Sequence, residues 1–394
     1  MKSGTDPRVA ILTYSTRPRG GVVHALRLAE ELHRLAFPVH LFSLGDPSAG
    51  FFRPTTAPHT VFPAPPRAES LEERVFSAMD AMLEGLREVA DGFAIGHAED
   101  CIAARAALRA RDDGAGWRVL RTVHHVDDFT TRALVECQEH SIRGPDELLV
   151  VSDHWRRCLW DQYGAGAQVV TNGVDVERFR LARGPSTDAL RARVGARDRF
   201  LFLTVGGVEP RKGSLEQFEA LAEVRSRVEL RPLLAIVGGH SFQDYEEYRR
   251  NVFTRAETLG LREGEDFVLL GTVDDAELPS WYAASDAFVF PSVKEGFGLV
   301  VLEALAASLP LVTSDLPVFR EYLTDGTNAL MAPVGDAGAL ADAMVRLIRD
   351  GDLRAQLAAA GPALAARYSW ERSALEHVRV YRELVERRER ATAG

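Results

Sequence analysis

Ala287-Phe-Val-Phe-Pro-Ser-Val-Lys-Glu295-Gly-Phe-Gly-Leu-Val-Val-Leu-Glu303-Ala-Leu-Ala-Ala307 changes character twice. Ala287 to Phe290 is a short apolar run, the length of a strand buried on both faces rather than of a helix. Pro291 to Gly298 is a loop, and Leu299 to Ala307 is apolar except at Glu303. A strand, a tight turn and a buried helix form half of a crossover unit in a parallel sheet. Glu303 is the anomaly: a charge on such a helix costs several kcal/mol unless it is paired or hydrogen-bonded. A sugar diol is one suitable partner, and a structural neighbour is the plainer one.

Upstream and downstream the same alternation recurs, with apolar runs at Phe200–Val205, Leu233–Val237, Phe267–Leu270 and Leu311–Thr313, separated by helix-length segments. An earlier series starts at Arg8–Ser15, followed by a helical period over Val22–Leu35 and a strand at Val39–Leu44. The proline-rich stretch through Arg67 is expected to be an irregular excursion, with helical patterning resuming over Leu71–Val89. Further runs fall at Phe93–Ile95, Arg118–Val123, Glu147–Val151 and Gln168–Val170. Arg183-Gly-Pro-Ser-Thr-Asp resembles a linker, so the expected division is a first domain over 1–184 and a second over 185–370. The segment 371–394 carries Leu375, Val378, Tyr381 and Val385 at helical spacing. Periodicity suits a helix crossing back to the first domain and one covering the second equally well. The fold class is α/β: two Rossmann-like, doubly wound domains whose ligands bind beyond the carboxyl ends of the strands, facing an interdomain cleft.

The 394 residues exceed the usual span of one core, and a formal charge of -10 opposes broad attachment to nucleic acid. Three cysteines, Cys101, Cys137 and Cys158, are too few and too scattered for a zinc cluster or a disulfide framework. The apolar run after Met1-Lys-Ser-Gly-Thr-Asp-Pro-Arg8 is too short for a signal peptide, and no stretch approaches a membrane span. The expectation is a cytoplasmic chain without a transmembrane segment, with docking at the inner membrane face left open.

A second chemical signal follows Val205. Gly206-Gly-Val-Glu-Pro-Arg-Lys-Gly213 precedes Ser214-Leu-Glu-Gln217, a pattern that reads as a capping box opening a helix. Arg211 and Lys212 then stand beside unpaired backbone donors, which makes a phosphate site. A solvated basic turn is the alternative, stronger for Arg211 than for Lys212. In the first domain, Gly20 and Gly21 precede a helix and could bind a phosphate or simply make a turn. The fingerprint Gly-x-Gly-x-x-Gly is absent, which disfavours a nicotinamide cofactor. His124 and His125 follow the strand ending at Val123, so at least one should face the expected cleft, while His97 and Asn172 have weaker claims. Asp350-Gly-Asp352 reads as a turn rather than a metal site.

Across nearly its whole length the chain resembles the retaining glycosyltransferases of the GT-B fold, in the large family 4 group. The resemblance is carried by Glu295 and Glu303, with seven residues between them, and by Gly20-Gly21, Thr122-Val-His124, Asn172-Gly-Val-Asp175 and Pro210-Arg-Lys-Gly213. It implies that Glu303 holds the nucleotide ribose, and that Glu295 with the turn Gly296, Phe297, Gly298 and Leu299 holds the donor sugar. Lys212 would neutralise the diphosphate, His124 would stand near the reacting sugar, and Thr272 and Val273 would meet the base. The arginine that often follows the first glycine of the phosphate loop is here Gly207, with Arg211 at hand to replace it. The implied activity is transfer of a hexose from a UDP- or GDP-linked donor to a small-molecule, glycan or lipid-linked acceptor, without metal or cofactor. A disaccharide phosphorylase, a nucleotide-sugar epimerase or a non-catalytic nucleotide-sugar-binding protein of the same architecture remain alternatives.

Overall fold

Strand pairing in the computed structural model, which describes residues 6–239 and 245–392 with side chains through 387, is parallel throughout both sheets. The strands are short and apolar because helices cover both sheet faces: β1 (Val9–Thr13) and β11 (Ala287–Phe290) are buried at every position.

The chain divides into two compact units, one of residues 1–173 with 370–394 and one of residues 174–369. The first holds β1, β2 (Val39–Gly45), β3 (His59–Pro63), β4 (Ile95–Ala98), β5 (Arg118–Val123), β6 (Glu147–Val150) and β7 (Gln168–Val169), in spatial order β3-β2-β1-β4-β5-β6-β7. The second holds β8 (Leu201–Val205), β9 (Leu233–Val237), β10 (Phe267–Gly271), β11, β12 (Leu311–Ser314) and β13 (Leu330–Ala332), in order β10-β9-β8-β11-β12-β13. The order reverses between β1 and β4 in one sheet and between β8 and β11 in the other, and doubly wound sheets bind ligands beyond the strand ends at such points.

Three sequence expectations are corrected and one strand is added. The proline-rich excursion contains β3, paired with β2 through Leu41 and His59; Pro63, its last residue, is tolerated because the strand is at an edge. β13 is only three residues long, too short to show a period. The supposed linker at Arg183 is docked: its guanidinium donates to the Ala283 carbonyl at 3.1 Å and to Asp286 at 2.7 Å. The units part instead at Gly173/Val174, where the Val174 N–H already bonds Tyr368 O at 2.8 Å within the second unit.

The helix Trp370–Thr392 belongs to the first unit and packs on the helix Gly20–Arg34. Ala374, Val378, Tyr381 and Leu384 enter the core around Val9, Ile11 and Leu26. Leu375, expected on that stripe, is 52% exposed, because it lies one helical position round from Ala374. The second core gathers Phe202, Phe218, Phe267, Leu234 and Met344 between its sheet and helices. Among the described residues no helix is long and apolar enough to cross a membrane.

Candidate functional site

In the second unit the loops after β8 and β11 meet at the reversal point. The Val293 N–H bonds Arg211 O at 2.9 Å, tying one loop to the other. Pro210–Lys212 forms a single 3-10 turn, and from it both cations reach one carboxylate oxygen: Lys212 Nζ lies 2.6 Å and Arg211 Nη1 3.0 Å from Glu295 Oε1. Ser292 Oγ donates to the same oxygen at 2.9 Å. Lys212 Nζ also sits 4.5 Å over the Phe290 ring, a cation–π contact. Burial pushes the Glu295 carboxyl up, but Lys212, Arg211 and the two side-chain hydrogen bonds outweigh it and hold the group at about 2. Burial and Arg211 push the Lys212 ammonium down, against the pull of Glu295. The result is a charged cluster at a strand end, in which Arg211 and Lys212 meet Glu295 and Arg211 Nε also lies 3.5 Å from Glu209 Oε2.

The expected capping box is absent. The helix begins at Ser214 with Gly213 as its N-terminal neighbour, and Ser214 Oγ instead exchanges hydrogen bonds with the Glu209 backbone at 3.1 and 3.2 Å. Gln217 turns inward and donates to Val289 O at 3.3 Å. These contacts hold the start of the helix between the loop after β8 and β11.

The turn before the helix Leu299–Ala306 is set by Gly298, at φ 89°, where a Cβ would stand 2.6 Å from the Phe319 ring. Only glycine fits there without displacement. Tyr322 OH donates to Phe297 O at 2.8 Å, fixing the peptide that precedes it. Glu303 has its partner in Tyr282, whose hydroxyl lies 2.8 Å from Glu303 Oε2, with Val300 O at 3.3 Å. Tyr282 is fully buried, so burial, with the Glu303 charge, pushes its phenol far up and keeps it a donor. Gly207 has φ 74°, and a Cβ there would meet Gly239 O at 2.9 Å. A Cβ on Gly239 would in turn approach Thr272 Oγ1 at 2.4 Å, which places Gly207, Gly239 and Thr272, with Val273 next in sequence, along the ends of β8, β9 and β10.

In the first unit, Gly20 opens its helix and Gly21 lies against His124, whose Cδ2 and Nε2 are 3.6 and 3.7 Å from where a Cβ would be. His124 Nε2 is 2.9 Å from Glu99 Oε2. Glu99, just after β4, is buried with His24 and His97, their rings 3.7 and 3.5 Å away. His24 Nδ1 lies 2.8 Å from Asn172 Oδ1, an acceptor, so the proton sits on Nδ1 and Nε2 faces Glu99 as a bare lone pair. His97 is spent on the fold, bonded to Thr122 Oγ1 and Tyr381 OH at 2.7 Å each. Burial pushes Glu99 up to about 7, opposed by His24, and holds His124 down to about 3, helped by His125 and Arg121. His125 sits 3.4 Å from Asp127, on the exposed side.

The donor atoms of His24, Glu99 and His124 fall within 4.8 Å of one another, the one such group among the described residues. The 2.9 Å contact between His124 and Glu99 is a hydrogen bond, which makes the group a hydrogen-bonded cluster. Asp350 accepts from the Leu353 N–H at 2.9 Å as an ordinary helix cap. The sequence reading missed Tyr282, Ser292, Tyr322, His24 and Glu99. Glu99 and Ser292 were findable as polar residues just past strand ends. Tyr282 carries no local signal, because it meets Glu303 only through tertiary packing.

Two doubly wound sheets, each with its polar cluster at the reversal point, define the GT-B class, and solved structures agree. Sucrose-phosphate synthase from Thermosynechococcus elongatus superposes with a TM-score of 0.80 at 21% identity, over 96% of this chain and 99% of that one. Anabaena HepE in complex with UDP and glucose gives 0.77 at 19% identity, over 95% and 99%. The profile "Glycosyltransferase Family 4" matches residues 18–178 and "Glycosyl transferases group 1" matches 186–363. The chain belongs to the family 4, group 1 glycosyltransferases. Among curated relatives, phosphatidyl-myo-inositol mannosyltransferase of Mycobacterium leprae is 34% identical over 238 residues, 59% of this chain and 58% of that protein. D-inositol 3-phosphate glycosyltransferase of Corynebacterium urealyticum is 31% identical over 252 residues, 63% and 59%. The chain thus spans under two thirds of the length of these relatives.

Proposed function

We propose that the protein transfers a hexose from a nucleoside-diphosphate sugar, UDP- or GDP-linked, to an acceptor hydroxyl with retention of the donor's anomeric configuration. The observation that carries this reading is the meeting of Arg211, Lys212 and Glu295 at the end of β8 and β11. Departure of a nucleoside diphosphate builds negative charge on its phosphate oxygens, and preorganised cations at that place stabilise it. Lys212 is the principal cation. Arg211 takes the place of the family arginine, since the backbone at Gly207 leaves a side chain no room.

In this reading Glu303, held by Tyr282, accepts hydrogen bonds from the ribose hydroxyls. The base lies against the backbone at Thr272 and Val273. Glu295 and the main chain of Gly296 to Leu299 orient the sugar hydroxyls. Gly20 and Gly21 serve the donor diphosphate or an acceptor phosphate, and His124 contacts a sugar hydroxyl. The protein positions and stabilises charge, the departing phosphate oxygen takes the acceptor proton, and no protein nucleophile, metal or cofactor takes part.

The relatives named for inositol-bearing substrates make a phosphorylated cyclitol the first acceptor to assay, with UDP-glucose and GDP-mannose as first donors. A donor-by-acceptor screen read by mass spectrometry, with the anomeric configuration of the product determined by NMR, tests the proposal. An inverted product overturns the stereochemical claim. Tight calorimetric binding of donors with no transfer or hydrolysis across the panel overturns catalysis.

A further inference from the structure

The buried carboxyl of Glu99 faces the ring of His124 from the inside of the first unit. His124 Nε2 is the edge turned toward Glu99 and Gly21, while no hydrogen bond engages Nδ1 among the described residues. The ring is partly exposed, so the Nδ1 edge is the one a ligand can meet. The carboxyl itself has no such access: it is fully buried, and Oε1 has no hydrogen-bond partner among the described residues. Glu99 therefore acts on a ligand only through His124.

We propose that Glu99 is the positioning residue of His124. Through the Nε2 contact it fixes the ring's orientation and selects its tautomer. With Glu99 ionised, Nε2 carries the proton and donates to the carboxylate, so Nδ1 presents an acceptor to a ligand hydroxyl. With Glu99 protonated, the acid donates to Nε2, the ring proton moves to Nδ1, and the same edge presents a donor. One proton is gained or lost overall, and the ring stays neutral in both states.

The groups facing Glu99 support this exchange. His24 Nε2, from the helix Gly20–Arg34, lies 3.7 Å from Oε2 and, when protonated, pulls the acid toward its ionised form. His97 on β4 lies 3.5 Å from Oε1, with its nitrogens engaged by Thr122 and Tyr381. Asp100, the next residue, adds negative charge, while His377 and Tyr381 of the C-terminal helix close the far side around His97. Burial among these groups brings the carboxyl to about 7, within the range where both states are populated in a cell.

The inference deepens the reading of His124 as a sugar contact, but its first test needs no substrate. Protein labelled with 15N at histidine is studied by long-range 1H–15N NMR from pH 5.5 to 8.5, with His124→Gln assigning the ring. Expected is an exchange of the protonated and bare nitrogens of His124 across neutral pH in the wild type, and a single tautomer throughout in Glu99→Gln. A wild-type ring that keeps one tautomer, or one that switches identically in Glu99→Gln, overturns the proposal. Once a donor and acceptor are known, Glu99→Gln/His124→Ala should be no slower than His124→Ala beyond about twofold. A further independent loss would show that Glu99 acts by another route. Failure of the glycosyl-transfer screen leaves the tautomer result standing, so the two readings fail separately.

Discussion

Lys212 Nζ and Glu295 Oε1, 83 residues apart, lie 2.6 Å from one another, joining the loop after β8 to the loop after β11. The pair lies at the reversal point of the sheet, where Arg211 adds a second positive charge. Glu295 holds the two cations in place, and in the proposed function they meet the donor diphosphate. Lys212→Ala is therefore expected to lower kcat by about 100-fold, the usual cost of removing one preorganised stabilising group, with a smaller change in donor KM. Steady-state kinetics with circular dichroism to check folding would measure it. Wild-type kinetics in a folded variant would remove Lys212 from the leaving-group role.

Glu303→Ala should act differently, raising donor KM or Kd by roughly 30-fold, about 2 kcal/mol for a charged hydrogen-bonding group lost from a bound ligand. Tyr282→Phe keeps the carboxylate but removes its 2.8 Å donor, so it should weaken donor binding less than Glu303→Ala does. Isothermal calorimetry with UDP- and GDP-sugars orders the two variants, and the reverse order would contradict the ribose assignment.

Restoring the family arginine by Gly207→Arg is expected to impair the protein rather than improve it. The backbone there is left-handed and a Cβ would crowd Gly239 O at 2.9 Å, so a loss of about 2 kcal/mol and several degrees in Tm is expected. Arg211→Ala should instead leave Tm nearly unchanged and lower kcat. Differential scanning calorimetry and kinetics on both variants check the substitution of one cation for the other.

Two carboxyls give stability slopes of opposite sign. Glu295 titrates at about 2 against an ordinary 4.5, so its stabilisation is complete above the ordinary value and is lost as pH falls toward 2. The Tm gap between wild type and Glu295→Gln should be widest above pH 5 and shrink in acid. Glu99 titrates at about 7 against 4.5, so its contribution is fully present below the ordinary value and is lost as pH rises through 7. Wild-type Tm should fall between pH 6 and 8 more than that of Glu99→Gln. Equal slopes in the two proteins would refute this assignment.

If, as proposed, side chains and helix ends rather than an ion neutralise the diphosphate, chelation should leave turnover unchanged, and added Mg2+ or Mn2+ should alter it by less than about twofold. Activity lost in EDTA and recovered with a divalent cation would overturn that reading and turn attention to His24, Glu99 and His124.

The strands carrying the site were legible in the sequence because buried parallel strands read as unbroken apolar runs: Leu233–Val237 and Ala287–Phe290 were located to the residue. β3 and β13 were not, since a half-exposed edge strand and a three-residue strand carry too little apolar signal. Glu303 was recognisable as a group needing a partner from its apolar surroundings alone. That the partner is Tyr282 was not, because Tyr282 lies across the turn of another helix.

Sequence alone determined the α/β alternation, the glycine turns, the identity of Lys212, Glu295 and His124 as polar residues in loops after strands, and Glu303 as the lone charge on an apolar helix, because these depend on local period and composition. Tertiary structure decided which groups pair. It directed Lys212, Arg211 and Ser292 to one oxygen of Glu295, and it closed the backbone at Gly207 to a side chain. It also buried Glu99 against His124 and His24. Such pairings depend on strand order, which brings β8 beside β11 and β1 beside β4 across long stretches of chain, and no local pattern encodes that neighbourhood.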